Sequence, residues 1–176
     1  MIILSEQCFI DCVRTCDGCN SGNVRDAWDW ERDHQNHVTM AAADYRPYSE
    51  SQGECEYTFK KGVSLLQLYL TMTDEYFTHV YITQYGTIIS NIDASPASFQ
   101  LYSSGMYDDQ KCSQTELNHC VQIIGFGHVG NYEGDYWIVR NSFGKAWGEE
   151  GYIRIAYGYN ICGIVSEAQI PLCGQR

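Results

Sequence analysis

The first half of the chain contains two stretches in which apolar residues recur at helical spacing. The run from Val24 to His34 has this period and predicts a short helix. A second helix is predicted to begin at Thr73, whose hydroxyl can cap the first turn, and to end at Gly86. Residues 63–72 are largely apolar, and their pattern fits a strand or a helix equally well.

After Gly86 the pattern changes to short runs rich in β-branched and aromatic residues, separated by Gly, Asn, Ser or Asp. These runs predict strands at residues 88–93, 120–129, 136–140, 152–157 and 164–170. The first third of the chain is instead polar and rich in turn residues. A helical first part and a β-rich second part predict an α+β protein with two domains, residues 1–60 and 61–176.

Composition narrows the classes of function. The 176 residues suffice for one domain or two small lobes, and 14% of them are aromatic, which is typical of packed structure. The 11 basic and 22 acidic residues give a net charge of −11, which repels phosphate backbones, so we predict no nucleic-acid partner. The apolar runs are far shorter than the roughly 20 residues of a transmembrane helix, so we expect no membrane partner.

Nine cysteines in a chain of this length indicate an oxidising compartment. Residues 1–4, however, are too few to form the apolar core of a secretory signal. An odd number of cysteines also leaves at least one thiol without an intramolecular partner. We therefore expect the sequence to begin within a longer protein.

One of the five histidines has a setting that suits catalysis. A lone histidine is more often a surface residue or a satisfied core residue, and this reading fits His34, His37, His79 and His128. His119 differs because it opens the apolar run of residues 120–127. Packing of that run can hold the imidazole while it faces a cleft, which is the arrangement that a general base requires.

Asn141 ends the apolar run of residues 136–140 and is followed by the aromatic residues Phe143 and Trp147. An asparagine at this point could simply cap a turn. Its side-chain amide can also accept a hydrogen bond from one imidazole nitrogen and fix the orientation of the ring. Asparagine has this role in the cysteine–histidine–asparagine form of the catalytic triad.

Four segments, in order along the chain, resemble the papain-like cysteine peptidases of cathepsin L and B type. Residues 117–127 are similar to the histidine segment of that family, and residues 136–154 to its asparagine segment. Residues 4–22 resemble the stretch after the nucleophile helix, and residues 98–105 a cathepsin L segment. The resemblance implies a papain-like two-lobe fold with an incomplete helical lobe and a β-barrel-like second lobe. It also implies peptide-bond hydrolysis, with His119 as base and Asn141 as its orienting partner.

The resemblance further implies residues that this sequence does not contain. The family's nucleophile lies in a C-G-[SA]-C-[WY] motif roughly 130–150 residues before the histidine. That motif is absent from the 176 residues, and the glutamine of the oxyanion hole is expected upstream as well. Imidazole without a thiolate cannot form an acyl-enzyme, so we expect a cysteine endopeptidase of which these 176 residues are inactive by themselves. The alternative is a non-catalytic homologue that binds peptides or acts as a decoy.

By resemblance, several residues bind substrate. Gly22 offers its backbone to the substrate residue two before the scissile bond, although a turn glycine would explain it as well, and Asn118 presents its carbonyl nearby. Glu167 lies at the base of the pocket for that substrate side chain, as in cathepsin B, where it can pair with arginine. The alternative for Glu167 is a solvated acid on a late strand. Asn91 makes the same pocket more polar. Trp147 is also expected to bind substrate.

By resemblance, Cys12 pairs with Cys55 and Cys112 with Cys162. Cys19 is expected to pair with a cysteine just before the missing nucleophile. The remaining four have no expected partner, although Cys8 could pair with Cys16: Cys8, Cys16, Cys120 and Cys173. The residues Cys8, Cys12, Cys16 and Cys19 could instead bind a metal, but their spacing lacks the paired C-x2-C knuckles of zinc sites.

We therefore expect neither a metal nor a cofactor. The family implies peptide or protein substrates and a propeptide or protein inhibitor as partners. It also implies a lysosomal, vacuolar or secreted location. Two residues depart from the family pattern: Phe143 stands where tryptophan normally covers the His–Asn pair, and Cys120 stands where alanine or glycine is usual.

Overall fold

The computed structural model describes residues 2–34, 38–63, 66–130 and 134–173, apart from the side chains of residues 34, 61, 129 and 173. The chain forms two compact units, Met1–Tyr69 with Pro171–Arg176 (unit 1) and Leu70–Ile170 (unit 2). The predicted domains 1–60 and 61–176 stay a prediction. Within the described ranges, no helix has the length and apolar character needed to cross a membrane.

Unit 1 contains helices α1 (Glu6–Cys12) and α2 (Val24–His34), with 3₁₀ turns at Ala42–Asp44 and Phe59–Lys61. The predicted helix at Val24–His34 is confirmed, whereas α1 was not predicted. Helix α1 has only seven residues and three of them are polar, so the helix is too short for a helical repeat of apolar residues to be recognised. Its N-cap explains its start, because the Ser5 hydroxyl accepts a hydrogen bond from the Cys8 backbone N–H at 3.1 Å.

A buried ion pair and a disulfide hold the irregular chain of unit 1 against α1. Asp11 is fully buried and accepts two hydrogen bonds from the Arg46 guanidinium, at 2.7 and 2.6 Å. The Tyr45 hydroxyl and the Gly53 backbone N–H also donate to this carboxylate. Burial alone would raise the pKa of Asp11, but these donors outweigh it and hold the pKa well below its usual range.

The strands form one sheet with the order β1-β7-β2-β4-β5-β6-β3. Their bounds are β1 Leu66–Met72, β2 Ile88–Ile92, β3 Met106–Tyr107, β4 His119–Val129, β5 Gly134–Arg140, β6 Tyr152–Ala156 and β7 Ala168–Cys173. The ambiguous run at 63–72 is therefore a strand from Leu66 onward. The sheet together with the helices confirms the α+β class.

The strand predicted at 164–170 is wrong in its first half, because β7 begins only at Ala168. Ile161–Gly163 forms a 3₁₀ turn instead, and Asn160 and Cys162 adopt left-handed backbone conformations with φ of 47° and 54°. The apolar residues of this turn are buried as part of the core of unit 2, so burial there does not indicate a strand.

Helix α3 (Glu75–Tyr85) packs beside the sheet, and the short helix α4 (Ala97–Gln100) follows β2. The predicted cap of α3 is wrong by one residue: the Asp74 carboxylate, rather than the Thr73 hydroxyl, accepts from the Phe77 backbone N–H at 2.9 Å. Gly86 ends the helix as predicted, with φ of 106°, which glycine tolerates.

The core of unit 2 consists of side chains that alternate along the strands, as expected for a sheet with one buried face. Its fully buried members on the strands include Ile88, Ile92, Ile123, Trp137, Val139, Ile153, Ile155, Ala168 and Ile170. Because these residues fix the register of β2, β4 and β5, they also fix the residues at the ends of those strands. Two of the predicted site residues, His119 and Asn141, lie at such ends.

Candidate active site

The His119 ring and the Asn141 side chain form a direct hydrogen bond. His119 is the first residue of β4, and Asn141 directly follows β5. The two strands pair antiparallel, so the start of β4 and the end of β5 lie side by side. His119 Nε2 lies 2.8 Å from Asn141 Oδ1, and Asn141 is buried to 8% exposure.

The backbone fixes which way the Asn141 amide points. The Ser142 backbone N–H donates to the same Oδ1 at 2.8 Å, which an amide nitrogen in that place could not accept. Because Oδ1 is an acceptor only, Nε2 of His119 carries the proton in this hydrogen bond. The neutral ring therefore has its lone pair on Nδ1, and Nδ1 is the atom that can accept a proton from a reacting group.

Aromatic rings surround this pair. The Phe143 centroid lies 5.0 Å from the His119 centroid, and the Phe99 centroid lies 6.3 Å from it. Trp147 packs 5.6 Å from Phe143, and its indole N–H donates to the carbonyls of Phe99 and Gln100 at 3.2 and 3.0 Å. Trp147 thus holds α4 against the aromatic cover, and its predicted role in binding substrate stays a prediction.

The side chain of Asn118, directly before His119, is anchored on both of its polar atoms. Its Oδ1 accepts from the Ala94 N–H at 3.0 Å, while its Nδ2 donates to Asp93 at 3.1 Å and to the Ser95 hydroxyl at 2.6 Å. The predicted contact between its carbonyl and a substrate stays a prediction. Asp93 was not singled out from the sequence, because all it offers there is one acidic residue after a strand.

Asp93 is a buried carboxylate at 7% exposure. Burial by itself would raise the pKa of Asp93, but backbone donors from Ser113 and Ser95 and the Asn118 amide outweigh it. Together they hold the pKa of Asp93 below its usual range, so this carboxylate is ionised over the working pH of most proteins.

Asn91 and Glu167 are brought together, as the resemblance implies. Asn91 Nδ2 donates to Glu167 Oε2 at 2.9 Å. Asn91 on β2 also lies directly opposite Cys120 on β4, so the two side chains share one face of the sheet. The structure therefore groups a carboxylate, an amide and a thiol beside the end of β4 that carries His119.

The turn before Glu167 is held by several long-range contacts. The Glu75 carboxylate on α3 accepts from the Asn160 N–H at 2.9 Å and from the Gly158 N–H. Asn160 in turn accepts from the Val165 N–H at 2.9 Å. The role of Glu75 in holding this turn could not be predicted from the sequence, because its partners lie more than 80 positions away.

The two disulfides that the resemblance implies are both present, Cys12–Cys55 and Cys112–Cys162. The first removes Cys12 from any four-thiolate metal site. Of the cysteines whose side chains are described, those outside disulfides are Cys8, Cys16, Cys19 and Cys120. Among the described residues, no cluster of three His, Cys, Asp or Glu side chains is arranged to hold a metal ion. The side chain of Cys173 lies outside the described part.

Two of these thiols have settings unsuited to a nucleophile. Burial raises the pKa of the Cys8 thiol to about 11, whereas a nucleophilic cysteine needs a lowered pKa. Cys120 follows His119 on the same strand, so its side chain points to the opposite face.

Gly22 lies in unit 1 on the protein surface, and a Cβ there would lie 3.3 Å from Cys16 Sγ. Its predicted contact with substrate stays a prediction.

The other histidines are placed as follows. His79 lies in α3, with its ring centroid 3.8 Å from that of Phe126. His128 is exposed on β4, within the strand predicted at 120–129, and pairs with Asp135 at 2.7 Å. His34 ends α2, and His37 lies outside the described residues.

Comparisons of the sequence with known proteins agree on one family. Residues 1–172 match the sequence profile described as "Papain family cysteine protease". A cathepsin L-like protein of Caenorhabditis elegans is 38% identical over 177 residues, which cover 98% of this chain and 51% of that protein. Digestive cysteine proteinase 2 of Homarus americanus is 34% identical over 98% of this chain and 53% of its own length.

A solved structure agrees with the sequence relatives. The digestive procathepsin L2 proteinase from Tenebrio molitor larval midgut matches with a TM-score of 0.87 at 33% identity, over 97% of this chain and 53% of that one. The expected papain-like fold is thus confirmed. The chain spans about half the length of the relatives that it matches.

Proposed function

Because the chain belongs to the papain family of cysteine proteases, we propose that it supplies the acid–base half of a cysteine endopeptidase site. His119 is the base in this proposal, and Asn141 holds its ring. The observation that carries the proposal is the 2.8 Å hydrogen bond between His119 Nε2 and Asn141 Oδ1, which leaves the lone pair of the neutral ring on Nδ1.

In the proposed reaction, Nδ1 of His119 removes the proton of a cysteine thiol and leaves a thiolate beside an imidazolium. The thiolate attacks the scissile carbonyl carbon, and the imidazolium gives its proton to the leaving amine as the C–N bond breaks. Water then attacks the thioester while the same nitrogen takes up a proton, which releases the acid and restores the thiol. Residues 1–176 contain no C-G-[SA]-C-[WY] segment, so this thiol comes from outside them.

The 176 residues alone are therefore expected to give no thiol-dependent hydrolysis of a peptidyl fluorogenic substrate. A fusion that supplies the C-G-[SA]-C-[WY] segment of a cathepsin relative is expected to restore hydrolysis. In that fusion His119→Ala should remove the activity, by about a thousandfold or more. His128→Ala is the matched control, because it removes an exposed histidine from the same strand and should leave the rate unchanged.

Two results would contradict the proposal. Thiol-dependent turnover by the unfused chain would mean that one of its own cysteines is the nucleophile. Full activity of the His119→Ala fusion would remove the histidine from its proposed role. A fusion that binds peptide without hydrolysing it would favour the alternative, a non-catalytic peptide-binding homologue.

For the substrate, we propose a peptide whose side chain two residues before the cleaved bond enters a pocket ending at Glu167. The Asn91–Glu167 hydrogen bond supports this, because it holds the Glu167 carboxylate beside β2, the strand paired with the end of β4 that bears His119. A carboxylate in such a pocket accepts a guanidinium in two parallel hydrogen bonds, so arginine is the preferred residue there.

Partners and location are part of the same proposal. A structural relative is a procathepsin, which supports a propeptide as partner. Relatives from a lobster and a beetle midgut are named as digestive enzymes, which supports a lysosomal, vacuolar or secreted location.

A further inference from the structure

We propose that Asp93 is a positioning residue that sets His119 through the side chain of Asn118. The inference rests on the proposed function, because it concerns the residue that serves as base. Asp93 directly follows β2, whereas His119 opens β4, and these two strands are antiparallel neighbours. The first residue of β4 therefore depends on what holds the chain just before it.

The Asp93 carboxylate joins three segments of unit 2. Its Oδ1 accepts from the Ser95 N–H at 2.9 Å and from Asn118 Nδ2 at 3.1 Å, and its Oδ2 accepts from the Ser113 N–H at 2.8 Å. Its own backbone N–H donates to the Cys162 carbonyl at 2.9 Å. One buried side chain thus ties the turn after β2, the segment beside the Cys112–Cys162 disulfide, and the residue before His119.

Asn118 has few ways to move while these contacts persist. Its backbone N–H donates to the Ile92 carbonyl at 2.9 Å, and Ile92 is the register partner of His119. The end of a strand frays unless something beyond its ladder holds it. Here the anchored Asn118 side chain holds that end, and a single peptide bond carries its position to His119.

The position needs a carboxylate rather than any polar side chain. The groups that hydrogen-bond to the Asp93 carboxylate are donors, namely the N–H groups of Ser95, Ser113 and Asn118 and the Ser95 hydroxyl, and an ionised carboxylate is an acceptor on both oxygens. In Asp93→Asn, the new NH₂ group would face one of these donors, so a buried donor would lose its partner. Ser113 loses its acceptor if the NH₂ group replaces Oδ2, and Asn118 loses its acceptor if the NH₂ group replaces Oδ1. Asp93 contacts neither the His119 ring nor Asn141, so its effect on the reaction is indirect.

The test reads the His119 ring itself, in the full 176-residue chain with labelled histidine. The Nε2–H signal of His119 should be protected from exchange by its bond to Asn141. We expect Asp93→Asn and Asn118→Ala each to speed that exchange by about tenfold or more, as a fraying strand end would. The double variant should exchange no faster than either single variant, because both substitutions interrupt the same series of contacts from Asp93 through Asn118 to His119. Asn118 is exposed, so its variant is informative even if Asp93→Asn does not fold.

Two controls separate positioning from general loss of stability. Asp109→Asn changes another aspartate of unit 2, one that accepts from Lys111 N–H and Ser98 but is only half-buried and does not contact Asn118, and should leave the exchange unchanged. Ile153→Val loosens the core away from these contacts. If Asn118→Ala and Asp93→Asn speed the exchange no more than Ile153→Val does at a matched drop in melting temperature, the proposal is wrong.

The nucleophile-supplying fusion gives a second measurement. Misplacing the base should lower kcat by about tenfold to hundredfold while KM stays within about twofold. Unchanged exchange and unchanged kcat in an active fusion would overturn the role of Asp93 and leave the proposed function standing. Faster exchange in a chain whose fusion is inactive would support Asp93 as a positioning residue and count against the proposed function.

Discussion

Glu31 is a carboxyl on α2 buried to 2% exposure in unit 1. The Leu66 backbone N–H donates to it, whereas its Oε1 has no partner within the described part of the chain. Among the side chains that the structure describes, the titratable groups that interact with it are Cys8 and Tyr57, both neutral near pH 7. Burial raises the pKa of Glu31 from 4.5 to about 7.

This shift makes the folded state bind a proton that the unfolded chain has already released. The sign follows from linkage: the contribution is fully present below pH 4.5, declines as the pH rises, and is lost above about pH 7. At about 1.4 kcal/mol for each pKa unit, the free energy of unfolding should fall by roughly 3 kcal/mol across this window because of Glu31.

Glu31→Gln removes the titration while keeping the size of the side chain and an acceptor for Leu66. Urea unfolding at pH 5 and pH 8, followed by the fluorescence of Trp28 and Trp30 on the same helix, measures the effect. The fall in unfolding free energy between the two pH values should be smaller in the variant by roughly 2–3 kcal/mol. Histidine titrations are common to both proteins and cancel in this difference.

Glu54→Gln is the matched control, because it changes an exposed glutamate of the same unit and should leave the pH dependence as it was. Equal pH dependence in the wild type and Glu31→Gln would refute the reasoning. That result would mean that the Glu31 carboxyl is hydrated or paired in solution.

Two further predictions follow from the ionic contacts. Asp11→Asn should lower the free energy of unfolding at pH 7 by about 3 kcal/mol, because it leaves Arg46 without its buried partner. Since the pKa of Asp11 is lowered, its stabilisation is fully present above its unfolded pKa and is lost as the pH falls through its folded pKa, so the difference in unfolding free energy between the two proteins should be smaller at pH 3 than at pH 7. In the nucleophile-supplying fusion, Glu167→Gln should lower kcat/KM for a substrate with arginine at the second position by about tenfold, with little change for leucine. An equal loss for both substrates would contradict the proposed pocket.

The strands and the catalytic pair could be predicted because their signals are local. The apolar run that follows His119 and the aromatic residues that follow Asn141 are each visible within about ten residues, and the family resemblance joins them. The Asn91–Glu167 contact spans 76 positions, so only the resemblance suggested that the two residues meet.

Asp93 and Glu75 could not be predicted as supporting residues. Apart from Ser95 beside Asp93, their partners lie 20–25 and 83–85 positions away, and nothing in the neighbouring sequence marks them. The late start of β7 has a similar cause. Left-handed residues such as Asn160 and Cys162 depend on a disulfide and on side-chain contacts across the turn, which periodicity does not report.

The Cys112–Cys162 disulfide has a consequence for attempts to re-engineer the specificity of this chain. It joins the segment seven residues before His119 to the segment five residues before Glu167. Exchanging the later loop for that of another protease, in order to admit a different side chain, would therefore also pull on the stretch that leads to the imidazole. A graft designed to change selectivity should replace both loops together, because the disulfide couples the conformation of one loop to that of the other.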